Sequence, residues 1–169
     1  MENHSMKINT TKRKMLRGEP AFGYSARLGS PVAAELLSHS GIDFVLLDGQ
    51  HGSWGTDSLI QGMTAVCTGP AIPMARVVYN YYPLIGQLLD AGALGIVVPL
   101  VNTVEEARAV ARSCRYPPLG ERSYGWGRAV VYGDDYADWK EMQHTGINIL
   151  YQPDLSKNEK MTLEEKKWI

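Results

Sequence analysis

The chain has 169 residues, of which 44% are hydrophobic and 21% are charged, proportions typical of a folded globular domain. Its 17 Lys and Arg against 18 Asp and Glu give a formal net charge of -1, so it lacks the positive field that binding to nucleic acid requires. The spacing of the two cysteines, Cys67 and Cys114, fits neither a disulfide framework nor a thiolate zinc site. We expect both cysteines to be small buried residues on helices.

No apolar segment is long enough to span a membrane or to act as a signal sequence. Residues 1–15 are polar and basic, and the longest apolar run, residues 96–101, is far shorter than the ~20 residues that cross a bilayer. We therefore expect a soluble, cytoplasmic protein without a membrane partner.

Between residues 22 and 115 the sequence repeats a short β-branched apolar run followed by a helical pattern. This alternation predicts parallel strands joined by helical crossovers, adjacent in chain order with the helices on the outer face. The strands are predicted at residues 22–26, 44–47, 72–77 and 95–101. The helices that follow them are predicted at residues 31–41, 57–67, 83–90 and 104–115.

Two of these helices carry local start signals. Ser30 and Pro31 supply an N-cap and a first-turn proline for the helix after the first strand. Thr103 caps the last helix, with Glu106 at the third position of a capping box.

The last third of the chain is less regular. Residues 119–136 are rich in Gly, Tyr, Trp and Arg and predict a long ordered loop. Within this loop Gly125 and Gly127 lack the third glycine and the preceding strand of a dinucleotide fingerprint, so we discount nucleotide binding. One more apolar stretch, residues 147–151, precedes a charged tail at residues 157–167, which is either a solvated helix or disordered.

Polar side chains stand at the ends of three predicted strands. Asp48 and His51 follow the second strand, Arg76 lies at the end of the third, and Asn102 follows the fourth. Because the carboxyl ends of parallel strands lie at one edge, we expect His51, Asp48 and Arg76 to face one cavity. An acid, an imidazole and a guanidinium suit general acid–base chemistry on a small anionic substrate.

Each candidate has a structural alternative. His51 could be an ordinary polar loop residue, and Arg76 could be a structural ion-pair former, since a guanidinium in an apolar strand needs a carboxylate from protein or substrate. The other histidines receive no catalytic role: His4, His39 and His144. A tyrosine cluster could stack on a ligand, although half-buried packing is the more ordinary interpretation: Tyr79, Tyr81 and Tyr82.

Several motifs occur in order along residues 17–139. They are LGSP at 28–31, DFVLLDGQHG at 43–52, PMARV at 73–77, LDAGA at 89–93 leading to NTVEEA at 102–107, and RYPPLG at 115–120 with GRA at 127–129. Together they resemble the HpcH/HpaI aldolase family, whose members are (β/α)8 TIM barrels. The resemblance implies a metal-dependent carbon–carbon lyase that cleaves a 2-oxo-3-deoxy acid to pyruvate and an aldehyde, with Mg²⁺, Mn²⁺ or Co²⁺ as cofactor, in a homo-oligomer.

The resemblance also implies roles for individual residues. His51 matches a histidine that transfers a proton at the aldol hydroxyl, and Asp48 matches an aspartate near the water shell of the metal. Arg76 matches the substrate-binding arginine that holds the pyruvyl group and stabilises its enolate, where a metal and a guanidinium meet developing charge. Asp90 matches an aspartate that reaches the histidine of a neighbouring subunit.

The chain departs from the family pattern in two places. Gln50 stands where most members have Glu. At the end of the apolar stretch 147–151, where the family's metal-binding glutamate is expected, the chain has no glutamate, so the metal ligands stay unknown. Asp154 echoes a later ligand motif, an echo that we treat as chance. Since a complete barrel takes ~250 residues, we expect an incomplete TIM-type barrel of about four to five βα units at residues 17–139 and a divergent charged tail at 140–169.

Different functional classes remain open. The first is an active aldolase acting on a 2-oxo acid, and the second is a truncated, catalytically inactive half-barrel that acts only as a fragment or an oligomer-forming protein. The missing glutamate favours the second for the chain taken alone. A weaker third alternative is a related lyase acting on a thioester or a pyrone-type acceptor.

Overall fold

The computed structural model describes residues 8–125, 127–128 and 148–152. Five parallel strands form one sheet in the order β1 to β5, and their bounds are Gly23–Ala26, Phe44–Asp48, Ile72–Arg76, Gly95–Pro99 and Asn148–Gln152. The helices α1 to α5 span Thr10–Leu16, Pro31–Ser38, Thr56–Val66, Tyr82–Asp90 and Val104–Ser113. Helices α2, α3 and α4 each connect two successive strands, as right-handed crossovers of parallel strands do.

The four strands predicted to be parallel and adjacent in chain order are confirmed. The apolar stretch near residues 147–151 forms β5, which pairs in parallel with β4 from Gly95 opposite Asn148 to Pro99 opposite Gln152. Strand β4 ends two residues earlier than predicted, because Leu100 adopts a left-handed backbone with φ 58°.

The two faces of the sheet bury different sets of side chains. Val45 and Leu47 of β2 belong to the large core that packs against the helices, together with Ile85, Leu88 and Val110. Phe44 and Leu46 lie on the opposite face with a smaller cluster: Ile72, Met74, Leu94 and Val97. Since side chains alternate along a strand, Asp48 and Arg76 lie on this second face, away from the helices.

The predicted helix starts are confirmed. The Ser30 hydroxyl accepts a hydrogen bond from the Ala33 N–H at 3.3 Å. Thr103 and Glu106 form the capping box, with the Glu106 N–H donating to Thr103 Oγ1 and the Thr103 N–H donating to Glu106 Oε2, both at 3.1 Å. Helix α2 ends at Ser38, three residues before the predicted Gly41, whose φ of 86° belongs to the turn that leads into β2.

Helix α1 has no counterpart among the predicted elements. Its N-cap Asn9 accepts from the Lys12 N–H at 2.9 Å and donates through Nδ2 to the Leu94 carbonyl at 2.8 Å. Thr11 donates to the Asp43 carbonyl at 3.0 Å. Because Asp43 and Leu94 directly precede β2 and β4, α1 covers the amino-terminal edge of the sheet.

The cysteines follow two helices directly. Cys67 after α3 is half-buried, Cys114 after α5 is buried, and neither forms a disulfide bond. Burial raises the pKa of the Cys114 thiol to about 12, so it is protonated at neutral pH. Within the described residues, no helix is long and apolar enough to cross a membrane. The charged tail predicted at 157–167 lies outside them.

Candidate active site

Asp48 and Arg76 are the last residues of β2 and β3 and face each other across the two strands as register partners. They lie at the carboxyl edge of the sheet, where active sites of parallel α/β proteins are built. Arg76 Nε donates to Asp48 Oδ1 at 2.9 Å, and Arg76 Nη2 donates to Oδ2 at 2.5 Å. The Asp48 side chain is 1% exposed and that of Arg76 15%. The structure therefore brings these two predicted residues into direct contact.

The Asp48 carboxylate is ionised in spite of its burial. Desolvation by itself raises its pKa, but the hydrogen bond from Arg76, the backbone N–H groups of His51 and Gln50, and the positive charge of Arg76 together lower it to about 2. The carboxylate consequently keeps its charge at every pH near neutrality.

His51 lies in the loop that follows β2. Its backbone N–H donates to Asp48 Oδ1 at 3.0 Å, and the Gln50 N–H donates to the same oxygen at 3.1 Å. The Gly52 N–H donates to the Asp48 carbonyl at 2.9 Å, and a Cβ on Gly52 would lie 2.3 Å from that carbonyl oxygen. Asp48 thus organises the loop through its backbone. The exposed His51 imidazole makes no hydrogen bond to any described residue.

Arg27 is a site residue that the strand-end reasoning missed. It directly follows β1, and its Nε and Nη2 donate to the His51 carbonyl at 3.2 and 2.8 Å. Its Nε lies 3.8 Å from Asp48 Oδ2. The signal was present in the sequence, since Arg27 follows a predicted strand just as Asp48 and Arg76 end theirs.

Asn102, the polar residue after β4, serves the capping of α5. Its N–H donates to Glu106 Oε2 at 2.7 Å, and its Nδ2 donates to the Leu100 carbonyl at 3.0 Å. These bonds give Asn102 a structural task next to the helix start.

Asp90 lies at the opposite edge of the sheet from the other candidates. It ends α4, whose carboxyl end leads into the start of β4. Arg122 Nη2 donates to Asp90 Oδ1 at 2.7 Å, and the guanidinium of Arg122 lies 4.6 Å from the ring centroid of Tyr116. The structure does not join Asp90 to His51 within one chain, and its contact with a neighbouring subunit stays a prediction. Arg122, buried in a loop, gave no sequence signal.

The tyrosine cluster lies after β3, near the carboxyl edge. Tyr79 and Tyr81 are exposed, and their rings stack with centroids 5.4 Å apart. The Tyr82 hydroxyl accepts a hydrogen bond from the Ser123 N–H at 2.8 Å. The exposed fractions of Tyr79 and Tyr81, 53% and 47%, agree with the predicted half-buried packing, and the two rings also pack on each other.

The described residues do not by themselves form a site for a divalent cation. Among residues 8–125, 127–128 and 148–152, no three His, Cys, Asp or Glu side chains are grouped as metal ligands. Asp48 Oδ1 already accepts three hydrogen bonds and Oδ2 is bonded to Arg76. The buried Gln50 Oε1 has no hydrogen-bond partner in this part of the chain, but one amide oxygen does not make the carboxylate set that hard cations need.

Comparison with known proteins identifies the family. The family model for HpcH/HpaI aldolase/citrate lyase matches residues 25–163. The hydroxypyruvate/pyruvate aldolase of Roseobacter denitrificans is 36% identical over 140 residues, which are 80% of this chain and 55% of the relative. The 2-keto-3-deoxy-L-rhamnonate aldolase of Klebsiella pneumoniae is 37% identical over 132 residues, 73% of this chain and 49% of the relative. The chain spans about half the length of these curated relatives.

A solved structure agrees with these matches. A HpcH/HpaI aldolase/citrate lyase family protein from Burkholderia cenocepacia superimposes with a TM-score of 0.75 at 27% identity, over 85% of this chain and 59% of the other. The α/β fold of TIM-barrel type is thereby confirmed, while the division of the chain at residue 139 stays a prediction. The chain belongs to the HpcH/HpaI aldolase/citrate lyase family.

Proposed function

We propose that this protein is an aldolase that cleaves a carbon–carbon bond in a 2-oxo-3-deoxy acid, giving pyruvate and an aldehyde. The observation that carries the proposal is the ionised Asp48, which holds the Arg76 guanidinium and the His51 loop at the carboxyl edge of the sheet. The aldolase names of the relatives support the reaction class.

In a 4-hydroxy-2-oxo acid the reaction moves one proton and one electron pair. The C4 hydroxyl loses its proton, the C3–C4 bond breaks, C4 becomes the aldehyde carbon and the electron pair remains as the enolate of pyruvate. We assign the hydroxyl proton to His51, whose imidazole is exposed at the strand ends. Protonation of the enolate at C3 then completes pyruvate.

Arg76 is assigned to the pyruvyl half. Its two hydrogen bonds to Asp48 fix the plane of the guanidinium before substrate binds, so no reorganisation is needed as negative charge develops on the enolate oxygen. Asp48 is thereby a positioning residue for both Arg76 and the His51 loop. Asp90, at the far edge, is proposed to act only across a subunit contact.

A divalent ion, Mg²⁺, Mn²⁺ or Co²⁺, belongs to the proposal by family resemblance. The described residues do not complete the ligand set of this ion, so the roles of His51, Arg76 and Asp48 are assigned without it. A cytoplasmic location and a homo-oligomeric assembly are also proposed. Apolar side chains exposed on β1 and α2 support self-association: Tyr24, Val32 and Leu36.

The second candidate is a catalytically inactive protein that retains the fold and forms oligomers. The ligand set favours it, because no three His, Cys, Asp or Glu side chains are grouped as metal ligands in the part of the chain that the structure describes.

Release of pyruvate from 4-hydroxy-2-oxovalerate by the purified chain distinguishes the two candidates. With Mg²⁺, Mn²⁺ or Co²⁺ added, the aldolase should form pyruvate, and His51→Asn should abolish most of it. His39→Asn, an exposed histidine on another loop, is the matched control. Absence of pyruvate above background with all three metals would contradict the aldolase proposal for this chain and favour the inactive alternative.

A further inference from the structure

Arg27 lies in one row with the two residues that form the central ion pair. Ala26 of β1 is the register partner of Leu47, so the next residues, Arg27 and Asp48, stand level across the two chains. Asp48 is in turn the register partner of Arg76. Arg27, just after β1, therefore lies at the same level of the carboxyl edge as Asp48 and Arg76, which end β2 and β3.

The backbone and the guanidinium of Arg27 are both held in place. The Ser53 N–H donates to the Arg27 carbonyl at 2.7 Å, and a Cβ on Gly52 would lie 2.9 Å from that oxygen, so the two loops pack closely. Arg27 Nε and Nη2 both donate to the His51 carbonyl. The guanidinium consequently has a fixed orientation beside His51.

Within the described residues, the charge of Arg27 is paired only at long range. Its one carboxylate neighbour there is Asp48 at 3.8 Å, and Asp48 already accepts two hydrogen bonds from Arg76. The Arg27 side chain is 64% exposed, and its Nη1 makes no hydrogen bond to this part of the chain. A preorganised, accessible guanidinium of this kind fits an incoming carboxylate.

The position of Arg27 relates it to one half of the substrate. Under the proposed function His51 acts at the C4 hydroxyl, in the part of the substrate that becomes the aldehyde, and Arg76 acts on the pyruvyl part. Arg27 binds the carbonyl of His51 itself and lies on the far side of Asp48 from Arg76 in the strand order. It therefore belongs to the aldehyde side of the site.

We propose that Arg27 determines specificity by binding a carboxylate on the aldehyde half of the substrate, so that the protein prefers 2-oxo acids with a second, distal carboxylate. This inference rests on the proposed function for the assignment of the two substrate halves. The bound group is recognised by its charge and by the hydrogen-bond acceptors that it offers to Nη1.

Two six-carbon probes isolate the distal group. 2-Oxoadipate ends in a carboxylate, whereas 2-oxohexanoate ends in a methyl group, and both carry the same 2-oxo acid head. Calorimetric titration of the full chain should show 2-oxoadipate binding about tenfold tighter, the size expected for one charge-assisted hydrogen bond at an accessible site. Arg27→Met should bring the ratio close to one by weakening only 2-oxoadipate, and Arg27→Lys should restore part of it.

Arg112→Met is the matched control. Arg112 is 55% exposed and paired with Glu121 at the end of α5, at the opposite edge of the sheet, so its loss removes the same charge from a distant place. The control should keep the tenfold ratio. If the ratio falls equally in Arg112→Met and in Arg27→Met, the effect is one of general charge, and if it stays tenfold in both, Arg27 does not bind the distal carboxylate. Either result overturns the inference.

Other outcomes separate this inference from the proposed function. If Arg27→Met weakens both probes equally, Arg27 only positions the His51 loop and the specificity role is wrong. Binding of neither probe by the unmodified chain also overturns it. If the chain prefers 2-oxoadipate through Arg27 but releases no pyruvate from 4-hydroxy-2-oxovalerate, the carboxylate site stands and the aldolase proposal fails. If the chain releases pyruvate but binds the two probes equally, the aldolase proposal stands and the carboxylate site is wrong.

Discussion

Arg76 and Asp48 form two parallel hydrogen bonds between adjacent strand ends, Nε to Oδ1 at 2.9 Å and Nη2 to Oδ2 at 2.5 Å. The parallel register places the two residues directly opposite each other, on the sheet face opposite the large core that packs against the helices. Because each side chain is the partner of the other, a change at either residue alters the ionisation or the orientation of both.

Replacing Asp48 by Asn should destabilise the fold at neutral pH. The pKa of Asp48 is lowered from its ordinary 3.8 to about 2, so the folded state favours the carboxylate by about 2 kcal/mol. That contribution is fully present above pH ~4 and disappears as the pH falls through about 2. Urea unfolding at several pH values should therefore show a gap between wild type and Asp48→Asn that closes in acid. If the difference in unfolding free energy were the same at every pH, the Asp48–Arg76 ion pair would not be its source.

Replacing Arg76 by Ala should reduce the turnover of any catalytically competent form strongly. Loss of one preorganised charge-stabilising group typically costs about 3 kcal/mol of barrier, or roughly a hundredfold in kcat. Arg76→Lys should recover only part of the rate, since an ammonium group cannot make the paired bonds to Asp48. Steady-state pyruvate release measures both variants, with Arg112→Ala as the charge control. Wild-type rates in Arg76→Lys would contradict the proposed binding of the pyruvyl half by the Arg76 guanidinium.

Divalent metal should bind the chain weakly. Mg²⁺ and similar cations require well-placed carboxylates, and both oxygens of Asp48 are occupied by hydrogen bonds. Titration with Mn²⁺ by calorimetry should show no stoichiometric micromolar site. If such a site is found and vanishes on chelation, Asp154→Asn is the first variant to test, because Asp154 follows β5 by two residues.

Removal of the Asp90 carboxylate should destabilise the protein. Arg122 is 4% exposed on its side chain, donates to Asp90, and its buried Nε has no partner among the described residues. Asp90→Ala leaves this buried guanidinium without its carboxylate, which should cost about 2–3 kcal/mol.

Chemical denaturation measures this loss, and Arg122→Met combined with Asp90→Ala completes a double-mutant cycle. The coupling should be favourable by more than 1 kcal/mol if the pair acts as described. Glu19→Ala, which removes an exposed partner of Arg17, is the control and should leave stability unchanged. If the losses in unfolding free energy from Asp90→Ala and Arg122→Met simply add in the double variant, a direct Asp90–Arg122 interaction is contradicted.

The sequence by itself determined the order of the elements and the edge at which the chemistry lies. Strand and helix periods are local, and so are the caps at Ser30 and Thr103, so four βα units could be predicted from residues a few positions apart. The carboxyl ends of parallel strands share one edge, so the sequence also predicts that Asp48 and Arg76 lie close together, as they do.

Only the tertiary structure decided which groups are partners. The Asp48–Arg76 pair joins residues 28 positions apart, and the contact of Asn9 with the Leu94 carbonyl, which anchors α1, spans 85 positions. Such contacts depend on register and on packing between distant segments, which leave no periodic trace in the sequence. For the same reason the burial of Arg122 against Asp90 and the hold of Arg27 on the His51 carbonyl were decided by the fold, because each requires two loops to meet in space.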